Sequence, residues 1–203
     1  MKTVAIIPAF NEFHHLRMVI EKTARHVDHI IVVDDGSGHP VLQPEDLRPG
    51  LTFLRHRINL GKGAALKTGV ECAQKFGAEY VVFLDADGQH NPEEIPLLLA
   101  PFNERMTDIC FGVRGFQNNM PFVARLGNMF LTGALHLLFG IDVSDTQSGF
   151  RAFRLSAYPQ LCWRSPRYAV ETEMIVNTGK HKLRFREVAI STIYLDKYRG
   201  TTV

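Results

Sequence analysis

Short apolar runs separated by stretches of helical spacing constrain this chain more than any other feature. Runs at residues 3–7, 30–33, 51–54, 80–84, 108–112 and 185–190 read as strands. Between the first two, Phe13, Leu16, Val19, Ile20 and Thr23 or Ala24 recur at three-to-four spacing, one face of a helix. A second helix is expected over 62–76, stopping at Gly77. A third follows Asn91-Pro92-Glu93-Glu94, an N-cap, a proline at the first helical position and two acids in the first turn. It should bury Ile95, Leu98, Leu99 and Phe102. A short turn region and a helix over 170–178 precede the last strand. Strands alternating with helices predict an α/β fold: a mainly parallel central sheet flanked by helices. No repeat, low-complexity tract or linker divides the chain, so one domain over 1–203 is expected.

A net charge of +2 and the absence of a Lys/Arg run argue against a nucleic-acid partner. Cys72, Cys110 and Cys162 are odd in number and widely spaced, which suits a reducing compartment and buried, unpaired side chains. The apolar run from Val4 is broken by Pro8 and Asn11-Glu12, unlike a secretory signal, so a cytoplasmic location is expected. One segment stands apart. From Pro121 to Ile141 the only formal charge is Arg125. A buried core helix, an interfacial in-plane helix and a membrane span are all open readings, the last short of the roughly 20 apolar residues a span needs.

Polar residues gather where the expected strands end, which is where open α/β sheets bind ligands. The first strand leads into Pro8-Ala-Phe10-Asn-Glu12, the second into Asp34-Asp35-Gly-Ser37 and the third into Asn59-Leu-Gly61-Lys62-Gly63. The fourth leads into Asp85-Ala86-Asp87-Gly-Gln89-His90, and the fifth into Gly112-Val-Arg114. Two carboxylates one residue apart in a loop suit a hard divalent cation such as Mg2+, whose shell is usually completed by water and substrate phosphates. Acids sharing one crevice repel, so a metal ion together with Arg114 or Lys62 is expected to compensate them. The Gly- and Lys-rich stretch is not a P-loop, and no dinucleotide fingerprint follows the first strand. It is either a tight turn feeding a helix or a helix N-terminus that, with Lys62, faces an anion.

These motifs, with Asp145-Thr-Gln-Ser-Gly-Phe-Arg151, resemble the family 2 inverting glycosyltransferases of GT-A fold, and within them the polyprenyl-phosphate, dolichyl-phosphate mannose synthase-like branch. The resemblance implies a nucleotide-sugar donor, UDP- or GDP-linked, and a polyprenyl phosphate acceptor. It implies donor contacts from Pro8, Phe10, Glu12, Asp35, Lys62, Asp85 and Ala86, with Glu12 near the ribose and Asp35 accepting from the base. Asp87 and Gln89 would bind Mg2+ or Mn2+, and Arg114 would stand near the transferring phosphate or sugar. Arg125, Lys197 and Arg199 are the acceptor-side cations it suggests, Arg125 having snorkelling at a surface as its other reading. An acceptor phosphate is already anionic, so no strong general base is needed, unlike attack by a sugar hydroxyl. The implied location is peripheral, on the cytoplasmic face of a membrane.

Several residues keep two readings. Glu171 and Glu173 lie near the base of hydroxyl-acceptor relatives but equally suit capping or salt-bridging of the helix at Val170. Asp145 suits turn stabilisation or acceptor contact, and nothing is assigned to His90. The end of the chain, Lys197-Tyr-Arg199-Gly200-Thr-Thr202-Val203, departs from the family's basic-Gly-Ser-Lys ending. Either the chain is trimmed or its acceptor loop differs. A hydroxyl-acceptor glycosyltransferase, a non-catalytic nucleotide-sugar binding module and a nucleotidyltransferase are the competing functions. The last should show a Gly-rich loop after the first strand, where this chain has Pro8 to Glu12.

Overall fold

The computed structural model describes residues 2–104, 106–114, 140–191 and residue 193. Seven strands form one sheet: β1 (Thr3–Ala9), β2 (His29–Asp34), β3 (Leu51–Arg55), β4 (Tyr80–Phe83), β5 (Ile109–Arg114), β6 (Arg151–Arg154) and β7 (Phe185–Ile190), in the order β3-β2-β1-β4-β6-β5-β7. β1, β2, β3 and β4 pair in parallel, as do β5 and β7. β6 runs antiparallel between β4 and β5.

The inner strands β1, β2 and β4 are almost wholly buried because both sheet faces are covered there. Along β1, Val4 and Ile6 join one core while Ala5 and Ile7 join the other. The first core includes Ala65, Leu66 and Val70 of α2 (Lys62–Lys75) and Met174 and Ile175 of α5 (Val170–Lys180). The second includes Leu16, Val19 and Ile20 of α1 (Leu16–Thr23) and Ile95 and Leu98 of α3 (Ile95–Leu99). α2 lies close to the sheet: a Cβ on Gly69 would come 2.3 Å from Ile6 Cγ2.

The expected strands all form, and Asn91 caps as its side chain predicts, accepting from the Glu93 N–H. Three local expectations differ. Phe13 precedes α1 and is exposed, because Glu12 takes the His14 and His15 N–H groups and α1 starts only at Leu16. The stretch expected as a turn region holds β6 and the short α4 (Tyr158–Leu161). A four-residue strand leaves too short a pattern to read, and its pairing is supplied by distant neighbours. Of the cysteines, Cys110 is buried, Cys72 half-buried and Cys162 exposed. Arg125, Lys197, Arg199 and most of the 121–141 segment lie outside the described residues. Among the described residues no helix is long and apolar enough to cross a membrane.

Candidate active site

Because β1, β2 and β4 run parallel, the polar stretches after them emerge on one side of the sheet. They line a cleft of about 610 Å³. Pro8, Ala9, Phe10 and Glu12 come from the end of β1, Asp35 from β2, and Asp85, Ala86 and Asp87 from β4. Asn59, Gly61 and Lys62 enter from the start of α2, and Arg167 and Tyr168 from the loop before α5.

Lys62 is the electrostatic centre of this cleft. Its Nζ lies 2.6 Å from Asp85 Oδ1 and 2.8 Å from Glu171 Oε1. Burial works against the ammonium, but Asp85 and then Glu171 outweigh it and hold Lys62 above its ordinary range. Burial likewise opposes the Asp85 carboxylate, and Lys62 outweighs it, so Asp85 sits below its ordinary range. Gly149 packs closely on the pair: a Cβ there would stand 2.9 Å from Asp85 Oδ2 and 3.0 Å from Lys62 Nζ, so these side-chain ends would have to shift.

Asp87 behaves oppositely. Burial raises its carboxyl above the ordinary value, and the neighbouring Asp85 charge adds to this against the stabilising Gln89 N–H, which donates at 3.0 Å. A carboxylate held at such cost suits a compensating cation. Among the described residues no three His, Cys, Asp or Glu side chains form a cage. A Mg2+ or Mn2+ ion would take Asp87 and complete its shell with oxygens from a ligand and water, as Mg2+ ordinarily does. The residues fit such an ion. Gln89 is exposed and does not line the cleft, although it adjoins Asp87.

Asp35 has more protein partners than a free base-reader would. It accepts from His56 Nδ1 at 2.7 Å, Leu60 N at 3.0 Å and Gly61 N at 2.7 Å. These bonds shape the Asn59–Gly61 turn, where Gly61 adopts φ +100° and a Cβ would meet Pro166 O at 2.5 Å. Glu12 lines the cleft while capping the loop into α1. His90 accepts the Asp85 N–H at Nδ1 (3.1 Å), which puts the neutral ring's proton on Nε2, and it stacks on Phe150. Burial lowers its basicity, consistent with a neutral structural ring.

Arg114 does not line the cleft. Its Nε and a terminal nitrogen grip Asp145 at 2.6 and 3.0 Å, a fork on a carboxylate. Asp145 also accepts the Gln147 N–H, so it stabilises its turn. Of the expected site, then, Pro8, Phe10, Glu12, Asp35, Lys62, Asp85, Ala86 and Asp87 come together, while Arg114 and Gln89 stand outside the lining. Glu171 pairs with Lys62, and Glu173 accepts the Arg164 and Ser165 N–H groups at 2.6 and 2.9 Å.

Sequence reasoning passed over three residues. Arg151 is 1% exposed and donates to the Ser148, Glu171 and Thr146 carbonyls, tying the 145–151 loop to α5. Burial pulls its guanidinium down to about 10, against the pull of Glu171 and Asp145. The signal was its place in the Asp145–Arg151 motif. Arg167 and Tyr168 complete the cleft wall, and no local pattern marks them.

The glycosyl transferase family 2 model matches residues 4–162. UDP-N-acetylglucosamine–dolichyl-phosphate N-acetylglucosaminyltransferase of Methanococcus voltae is 35% identical, the match covering 98% of this chain and 89% of that protein. Undecaprenyl-phosphate mannosyltransferase of Micrococcus luteus is 28% identical over 95% of this chain and 84% of its own length. In structure, glucosyl-3-phosphoglycerate synthase of Mycobacterium tuberculosis, solved with Mn2+, UDP and phosphoglyceric acid, superposes with a TM-score of 0.74. That match covers 97% of this chain and 71% of the other at 20% identity, a likeness of fold. A parallel sheet with one antiparallel strand, acids at its carboxyl ends and a family match over most of the length agree: this chain belongs to glycosyl transferase family 2 and has its GT-A fold.

Proposed function

We propose that this glycosyltransferase moves a sugar, with inversion, from a nucleoside-diphosphate sugar to a polyprenyl phosphate, with the help of a divalent cation. One observation carries the reading. Two carboxylates, Asp85 ion-paired to Lys62 at 2.6 Å and Asp87 still raised by burial despite a smaller pull from Lys62, share a cleft of about 610 Å³. Cleaving the bond between the anomeric carbon and phosphate leaves negative charge on the departing diphosphate. A bound Mg2+ or Mn2+ supplies Lewis-acid stabilisation of that charge. Asp87 would hold the ion, Lys62 keeps Asp85 ionised and oriented, and Phe10, Glu12 and Asp35 form the nucleoside end.

The names of the relatives support a lipid phosphate acceptor. So does the engagement of both candidate bases, Glu171 by Lys62 and Glu173 by backbone N–H groups. An anionic phosphate oxygen attacks without proton removal, whereas a hydroxyl needs a base within reach. Arg125, Lys197 and Arg199 are assigned to that acceptor, and Arg114 to the region between the two substrates. A lipid acceptor puts the enzyme on a membrane surface, here assigned to the cytoplasmic face.

The test is transfer from UDP- and GDP-sugars to polyprenyl phosphate in mixed micelles, with Mn2+ or Mg2+. A lipid-linked product of inverted anomeric configuration is expected. Transfer only to a hydroxyl acceptor, or from no donor, overturns the reading. A thermal-shift panel of nucleoside diphosphates identifies the base, since a ligand at about 100 times its Kd adds about 2.7 kcal/mol of stability.

A further inference from the structure

We infer that Arg167 binds the diphosphate of the nucleotide donor, a contact that rests on the reading of the cleft as a nucleotide-sugar site. The argument is one of charge. Four acids line the cleft, Glu12, Asp35, Asp85 and Asp87, against two cations, Lys62 and Arg167. Lys62 is already shared between Asp85 and Glu171. Arg114 is forked onto Asp145, away from the lining. Arg167 is left as the lining cation for which no carboxylate partner is present among the described residues. A diphosphate entering this acidic cleft meets repulsion that one divalent ion at Asp87 does not fully cancel. A guanidinium offers parallel donors that match two phosphate oxygens.

The Arg167 backbone is held where such a contact requires. Pro166 O accepts the Ala64 N–H at 3.0 Å, Trp163 Nε1 donates to Gly63 O at 2.9 Å, and Glu173 holds the 164–165 backbone. The stem of Arg167 packs beside Gly61, where a Cβ would come 2.8 Å from its Cγ. The loop is thus fixed against the first turn of α2, while Arg167 is exposed and lines the cleft.

Arg167→Met keeps an unbranched stem beside Gly61 and removes the charge. Calorimetric titration with UDP and GDP in the presence of Mn2+ reads the effect. For the diphosphate the wild type prefers, Kd should rise about 10- to 100-fold, the range of a charge-assisted bidentate contact. Arg167→Lys should recover part of that loss, because charge returns without the fork. The melting temperature without ligand should stay within about 1 °C, as for a surface change away from packing. A Kd within twofold of wild type overturns the inference. So does a loss accompanied by a fall of more than about 5 °C in ligand-free melting temperature, which marks a packing role. If the wild type binds neither diphosphate, the nucleotide reading of the cleft fails along with Arg167. If it binds and Arg167→Met binds equally, Arg167 alone is refuted.

Discussion

The wall of the cleft built by the ends of β1, β2 and β4 is acidic and drawn from short contiguous motifs, whereas the wall before α5 brings Arg167, Tyr168 and Glu171 from residues some eighty positions later than Asp87. The first wall supplies charge that must be neutralised. The second supplies a partner for Lys62 and a cation of its own. Lys62, at the start of α2, joins them, pairing with Asp85 on one side and Glu171 on the other.

Breaking the acidic wall should have the largest effect. Asp87→Ala removes the carboxylate assigned to the cation, and turnover at saturating donor and Mn2+ should fall roughly 10³-fold, several kcal/mol of lost charge stabilisation. Near-normal turnover would sink the metal role of this wall. Cutting the link between the walls comes next. Lys62→Met leaves buried Glu171 and half-buried Asp85 without their cation, and urea unfolding should show a loss of about 3 kcal/mol. If stability holds, the two walls are not joined through Lys62.

Crowding the same link is milder. Gly149→Ala puts a methyl 2.9 Å from Asp85 Oδ2, so the Asp85 and Lys62 side-chain ends must shift, and stability should drop by about 1 kcal/mol, with a fall in donor affinity. An unchanged donor Kd would show that the cleft tolerates displacement of Asp85. The smallest effect sharpens the role of the Arg114–Asp145 fork, which stands outside both walls. Burial opposes the Asp145 charge, but hydrogen bonds from Arg114 outweigh it, so its folded pKa lies below the ordinary 3.8. Between those two values the unfolded chain binds more protons, so stability rises with pH there. The contribution is present above 3.8 and disappears as pH falls through the lower, folded value. Asp145→Asn should therefore show a shallower loss of stability on acidification below pH 3.8, measured by denaturant midpoints. An unaltered slope would mean that the fork does not hold this carboxyl down.

Much of the acidic wall was legible in the residues. Asp85 and Asp87 follow an apolar run whose strand character is local, and the same holds for Pro8 to Glu12 and for Asp35. β6 was not legible, because four residues carry too little pattern and its partners β4 and β5 lie far off in the chain. Arg114 illustrates the limit on charge. Its position at a strand end was read correctly, yet the carboxylate it grips comes from residue 145 rather than from the cleft.

Local order in the chain determined where strands end and which side chains can surface there, since strand propensity, turn chemistry and helix caps act over a few residues. It also carried the family, through ordered motifs along most of the length. Which charges cancel was decided by the folded packing. Coulomb energy depends on separation and burial in space, and Lys62 finds Glu171, 109 positions away, only once α2 and α5 cover the same face of the sheet.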